Sequence, residues 1–201
     1  STILGSAPIV VSGDVSLGSA QTVDVNVDIT AGGALSFSDS ADVQISGGTT
    51  LIADGGDLTF SGTVAQVSLD GLSTSDAILR TATVDADIVL QSVVSTGPNL
   101  VLQATNAVSL GDAINLGTHN LTLTFDTNGN AGVQQLLNRT ITAGVISVSG
   151  SGVAGTDEIE LSAPLFSSGA ITLGDTETID LNENITAGTN LTIRDYGALQ
   201  L

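Results

Sequence analysis

No cysteine occurs in this chain, so neither a disulfide framework nor a thiolate metal site can form. Methionine, tryptophan and lysine are absent as well. Bases are scarce: Arg80, Arg139 and Arg194 are the only arginines, and His119 is the only histidine. Against them stand 21 acidic residues, and the formal net charge is -18. A nucleic-acid partner is excluded on that ground, because phosphate contacts need clustered bases. A basic helix lying on a membrane surface is excluded for the same reason. Aromatics are 2% of the residues, too few to furnish the platforms of a saccharide cleft. No apolar run is long enough to span a bilayer as a helix, so membrane insertion is not expected. Helix signals are poor throughout, and only Val133-Gln134-Gln135-Leu136-Leu137 reads as a helical turn.

What remains is a β composition. The chain has 201 residues and is 41% hydrophobic, with Val, Ile, Leu, Thr, Gly and Asn prominent. That length suits one domain, 1–201, with a substantial core. One phrase recurs: a small or polar residue, then apolar-polar-apolar. It stands at Asp14-Val15-Ser16-Leu17, Ala34-Leu35-Ser36-Phe37, Asp57-Leu58-Thr59-Phe60, Asn99-Leu100-Val101-Leu102, Asn120-Leu121-Thr122-Leu123, Val145-Ile146-Ser147-Val148, Ala170-Ile171-Thr172-Leu173 and Asn190-Leu191-Thr192-Ile193. Between Leu58 and Leu100 lies a double interval, and Leu79 stands at its middle. The anchors are therefore spaced by roughly 20–25 residues, the signature of stacked repeats. A second apolar column trails the first, as in Val43/Ile45, Val67/Leu69, Ile88/Leu90 and Ile179/Leu181. A weaker third column includes Ile29, Val93, Ile114 and Ile185.

Three short alternating strands per repeat, with turn residues between them, predict a single-domain parallel β-helix (β-solenoid). It has about nine coils of 20–25 residues and three short strands per coil. Neighbouring strands sit about 4.8 Å apart, so nine coils make a rod on the order of 43 Å long. Phe37 and Phe60 fall at the same inward slot in successive coils and should stack. The two long coils place their extra residues, 126–132 and 150–158, at one corner. Adjacent bulges there make a single protrusion.

The runs Ile185-Thr186-Ala187-Gly188-Thr189-Asn190-Leu191-Thr192-Ile193, Ile29-Thr30-Ala31-Gly32-Gly33-Ala34-Leu35 and Ile141-Thr142-Ala143-Gly144 resemble the repeats of filamentous haemagglutinin-type bacterial exoproteins. The resemblance covers nearly the whole chain. It implies a right-handed parallel β-helix, export to the bacterial cell surface or medium, and a role in adhesion or in projecting other domains; a biofilm matrix is the expected setting and a host or matrix receptor an expected partner. That family's amino-terminal secretion module carries Asn-Pro motifs, and no Asn-Pro pair occurs here.

Chemistry is thinly signalled, and no catalytic residue or enzymatic role is expected. Close carboxylates occur at Asp85/Asp87, Asp157/Glu158/Glu160 and Asp175/Glu177, as an acidic surface supplies by chance, but Arg80, Arg139 and Arg194 lie on different coils and His119 stands alone in the turn before Leu121. The pairs Thr81/Thr83, Thr122/Thr124, Thr140/Thr142 and Thr176/Thr178 fall at different places in their coils, which argues against a flat ice-binding array. Calcium is the better candidate ligand. Asp126, Asn128 and Asn130 offer oxygens at alternate positions, as the start of a calcium loop does, and Asp157 on the neighbouring bulge could complete the set. The alternative is an ordinary Asx-rich turn.

The ends show no polar cap. Ile3 and Leu4 at one end, and Leu199 and Leu201 at the other, are expected to join copies head to tail, since bare sheet edges recruit other chains. The leading expectation is thus a subunit of a surface or matrix fibre. The alternative is a non-polymerising stalk fragment of a large adhesin with a ligand- or cation-binding corner; a carbohydrate-active β-helix enzyme is a distant third.

Overall fold

The alternation of inward and outward residues is realised as short parallel strands stacked on three faces. The computed structural model describes residues 2–3, 7–18, 21–61, 66–70, 75–129, 132–151 and 157–201, with side chains from residue 7 onward. Among these there is no helix. One coil is typified by strands Thr22–Val25, Ile29–Ala31 and Leu35–Ser38 on the first, second and third faces. Every paired strand lies parallel to its partner in the next coil. The first face is a sheet of nine strands, from Thr2–Ile3 to Ile185–Ala187. The chain is therefore a β-solenoid, as the repeats predict.

The inward residues form stacked columns, continuous on the first and second faces. On the first face the column runs Val23, Val43, Val67, Val93, Ile114, Ile141, Leu165 and Ile185. On the second it runs Ile9, Ile29, Leu51, Leu79, Leu102, Leu123, Val148, Leu173 and Ile193. Burial is essentially complete between the end coils. No coil buries its own apolar side; each needs the coil above and below. Phe37 and Phe60 stack as expected, with ring centroids 4.7 Å apart and planes 3° from parallel. That spacing matches the distance between coils, so the two rings simply repeat one orientation.

The register corrects the simple period. Leu58 does not lie beneath Leu79. Its neighbour on the third face is Ile88, and Thr59 pairs with Val89. Leu79 belongs to the second face, over Leu51. The anchors Val15, Leu35 and Leu58 are thus third-face residues, whereas those from Leu79 onward are second-face residues. The coil between is long: Asp57 and Asp87, 30 residues apart, occupy the same corner. All three faces share one alternating pattern, so a step of only two-thirds of a turn passes unseen in a list of spacings. The Val133–Leu137 stretch is a second correction. It contains the strand Gln134–Leu137, with Val133, Gln135 and Leu137 buried. The four Thr-x-Thr pairs are scattered over different faces and corners. Thr122, Ser147, Thr172 and Thr192 nevertheless share one outward row on the second face.

The recurring Ile-Thr-Ala-Gly phrase now has a physical reading. In Ile141-Thr142-Ala143-Gly144 the isoleucine and alanine point inward and the threonine outward. Gly144 then turns the corner against the coil below. A Cβ there would collide with the carbonyl oxygen of Thr118. Gly188 meets Ser168 in the same way, and at Gly169 a Cβ would lie 2.7 Å from the Gly144 carbonyl oxygen. Glycine is needed here for close approach of one coil's backbone to the next. Gly144→Ala is accordingly expected to cost about 1–3 kcal/mol, the usual range for overpacking a tight site. A urea midpoint unchanged from the parent protein would show that the corner has room.

Candidate functional site

The corner between the second and third faces is where the chain departs from its own repeat. In the early coils it is stitched by carboxylates that accept main-chain N–H groups from the next coil. Asp14 Oδ1 accepts from Ala34 at 2.9 Å, Asp57 Oδ1 from Asp87 at 2.9 Å, and Asp87 Oδ1 from Ala107 at 3.0 Å. Asp14, Asp57 and Asp87 are explained by such charge-assisted bonds. Inside the same corner Thr81 and Thr105 are buried. Their hydroxyl oxygens are 3.2 Å apart, and the Thr105 N–H donates to Thr81 Oγ1 at 2.9 Å.

In the two long coils this polar column continues as carboxylates. Both insertions do fall at this corner, one after strand Leu121–Thr124 and one after strand Ile146–Ser149. Asp126 is 0% exposed and Asp157 is 2% exposed. Asp126 sits in the left-handed region at φ 50°, with its N–H donating to the Asn106 carbonyl at 2.9 Å. Asp157 is clamped through its main-chain carbonyl, which accepts from Thr176 Oγ1 at 2.8 Å and from the Thr178 N–H at 3.0 Å. Its Oδ1 accepts the Val133 N–H at 3.1 Å, whereas its buried Oδ2 has no hydrogen-bond partner among the described residues. The two carboxyl groups come within hydrogen-bonding reach of each other. Burial pushes the Asp157 carboxyl above its ordinary range. The Val133 N–H pulls it back in part, and the facing Asp126 carboxyl adds to the rise by hydrogen bonding and by charge.

The expected calcium set is therefore only partly assembled. Asp126 and Asp157 meet. Asn128 stands exposed on the turn, and Asn130 lies outside the described residues. No cluster of three or more acidic or histidine side chains forms a metal site among the described residues. Of the expected contact residues at the ends, Leu199 packs partly buried on the core and Leu201 is 92% exposed. Ile3 is in a strand, with its side chain outside the described residues, as is all of Leu4. His119 sits in the turn after Leu116, to whose carbonyl its N–H donates.

Sequence reasoning missed Gln135. The third-face sheet pairs continuously from Val15–Gly18 to Val108–Leu110 and then stops. Where the next rung would bond, the fully buried Gln135 side chain takes over. Its Oε1 accepts the Val108 N–H at 2.8 Å and its Nε2 donates to the Val108 carbonyl at 2.8 Å. A carboxamide thus stands in for a peptide group in a broken ladder. The period-two burial of Val133, Gln135 and Leu137 is the signal that could have found it. Outside the break is a groove of about 160 Å³, lined by residues that include Asp87, Ser109, Leu110, Gln134 and Asn138. Arg139 braces one end, its Nε donating to the Gly111 carbonyl at 3.0 Å. Beyond this corner, strands Ile171–Leu181 and Leu191–Gln200 run unbroken from the second face onto the third. They weld the two faces into one sheet.

No family model, no curated protein and no solved structure matches this chain.

Two outcomes are expected from this geometry. Gln135→Leu fills the column but leaves the Val108 N–H and carbonyl buried without partners, at a cost of about 2–4 kcal/mol; an unaltered urea midpoint would mean the ladder closes without the amide. Asp157→Asn removes one of two facing buried carboxyls. Because the folded-state value of Asp157 is raised, the native protein binds more protons than the unfolded chain, so its contribution falls as pH rises through the folded value. In metal-free buffer the Asn variant should therefore be the more stable protein at neutral pH. That advantage should vanish as pH falls below the ordinary value of 3.8. Urea denaturation across that pH range checks it; a variant that loses stability equally at every pH would contradict the strained pair.

Proposed function

We propose that this protein is an extracellular structural β-solenoid, a subunit of a bacterial surface or matrix fibre in which copies stack head to tail. The observation that supports it most is the state of the last rung. In strand Leu191–Gln200 the exposed residues include Leu191 at 46% and Tyr196 at 41%, and Ile193 and Leu199 are only partly buried. These same positions in the interior coils, Ile171, Leu173 and Ile179, are fully covered. At the opposite end Ile9, Val15 and Leu17 are also half-covered. The end residues Ile9 and Ile193 belong to one column, Val15 and Leu35 open the third-face row, and Ile179 and Leu199 lie on that face beyond its break. A second copy set on the last rung in register would continue all three faces. It would pair an exposed sheet edge and cover the apolar columns together.

The resemblance to filamentous haemagglutinin-type repeats supports a place outside the cell and a role in adhesion. The lack of cysteine, the net charge of -18 and the hydroxyl-rich outward rows are consistent with a solvated rod. Mutual repulsion keeps such rods from bundling sideways at low salt.

A second reading is a stalk segment whose specialised part is the corner holding Asp126 and Asp157, favoured by the burial of two carboxyls in adjacent coils. Negative-stain electron microscopy and sedimentation separate the two. Long rods one coil-width thick are expected for the parent protein, and short monodisperse particles for Leu199→Asp. Short particles for the parent protein at high concentration would overturn the fibre and leave the stalk.

A further inference from the structure

We propose that copies of this chain also associate side by side, the second face of one rod lying against the third face of the next, with Arg80 of the first paired to the Glu158 and Glu160 carboxylates of the second. The two faces differ in chemistry. From strand Ile29–Ala31 to strand Ile146–Ser149, no outward residue of the second face is acidic, although the chain has 21 acids. The one charge in that stretch is Arg80, which stands exposed. Its guanidinium has no hydrogen-bond or ion-pair partner among the described residues. The other arginines are engaged. Arg194 is paired with Asp175 at 2.9 Å and Asp195 at 2.7 Å, and Arg139 donates to the carbonyls of Gly111 and Asn138. Ile52 adjoins Arg80 in the same outward row, and Ile78 and Val101 stand in the row beside it, all three half-buried. An unpaired arginine among aliphatic side chains on a flat sheet has the composition of a contact centre. The group that fits its planar fork is a carboxylate.

The third face supplies that group. Glu158 and Glu160 project outward from strand Glu158–Leu161, and Asp180 follows Glu160 in the next coil. An uncharged amide holds the two glutamates: Gln134 Nε2 donates to Glu158 Oε2 at 3.1 Å and to Glu160 Oε2 at 2.9 Å. No base pairs with them among the described residues. Leu136 precedes Glu160 in the same row, half-buried, an apolar neighbour for the isoleucines of the opposing face. The two patches thus carry opposite charge, and each has aliphatic side chains beside it. Both are built on parallel sheets with the same rung spacing of about 4.8 Å, so rods lying parallel can bring several rungs into contact at once. The contact is heterologous, and it repeats sideways instead of closing at a pair.

A face about eight coils long and four residues wide offers on the order of 500 Å², short of the roughly 800 Å² per partner of a standard interface. Association between single copies is therefore weak. It also requires the net charge of -18 to be screened, as at about 0.15 M salt, where the Debye length is about 8 Å.

The test uses the full chain carrying Leu199→Asp, so its outcome does not depend on whether copies also stack end to end. Sedimentation equilibrium at about 0.15 M salt, in a concentration series reaching about 1 mM, should show reversible association. Arg80→Glu should abolish it. Glu160→Arg should weaken it at least about tenfold, because two arginines then face each other. The two substitutions together should restore it. Glu160→Arg makes the net charge less negative, so relief of repulsion alone predicts stronger association, the opposite result. Circular dichroism checks that each variant is folded. The same series on the parent chain, with rod width in negative stain in place of mass, serves if Leu199→Asp does not fold. A chain that stays single throughout the series overturns the proposal and assigns the Arg80 patch to a different molecule. Association that survives Arg80→Glu also overturns it, as does a double variant that fails to regain association.

Discussion

Each inward side chain in this protein rests on a like side chain one coil away. That distance, about 4.8 Å, is set by the hydrogen bonds of parallel strands. The rest of the structure follows from it. A column of Val, Leu and Ile fills the interior without voids only if every coil presents the same positions at the same height. Glycine must stand wherever one corner's backbone touches the next, as at Gly144, Gly169 and Gly188. Aromatic rings, where present, must repeat one orientation, as Phe37 and Phe60 do. Stability is then a sum over neighbouring coils, and the end coils have only half of it. Half-covered Ile9, Val15, Ile193 and Leu199 are the direct consequence.

The second-to-third corner shows what the stack does with departures from the repeat. Loop closure is cheap, so a coil can carry extra residues at a corner if its three strands stay in register. The polar groups brought in by those residues still have to be satisfied. Thr81 and Thr105 satisfy each other and the local backbone. Gln135 satisfies Val108 where the ladder is interrupted. Asp126 and Asp157 meet each other there, and burial together with the facing Asp126 carboxyl pushes the Asp157 carboxyl above its ordinary range. A corner that holds two buried acids in adjacent coils is where this otherwise uniform rod has acquired something specific.

The architecture was legible in the sequence because period-two alternation and a repeat of 20–25 residues both come from the stack itself. Phe37 over Phe60 and the shared corner of the two insertions could be read for the same reason. The faces could not. Leu58 and Leu79 look like successive members of one column because every strand obeys the same apolar-polar-apolar rule, and only the pairing of Leu58 with Ile88 reveals the slip. Gln135 was hidden for a related reason: two adjacent glutamines and two adjacent leucines mask an inward-outward alternation. The Asp126 and Asp157 encounter was legible as a shared corner, but their burial was not. Spacing places residues on a corner without saying which side of it they face.

Register is the claim from which the columns, the open ends and the acid pair all descend, and engineered crosslinks read it directly. The chain has no cysteine of its own, so two introduced thiols report on one pair of positions without competition. Thr59 and Val89 are directly opposed on the third face, within the Cα separation of about 4.4–6.8 Å that a disulfide spans. The double variant Thr59→Cys, Val89→Cys should close a disulfide under mild oxidation, seen by mass spectrometry of the folded protein. The pair Thr59→Cys, Arg80→Cys, which the simple 21-residue spacing would bring together, should stay reduced. Closure of the second pair and not the first would contradict the coil register, and with it the columns on which the whole account stands.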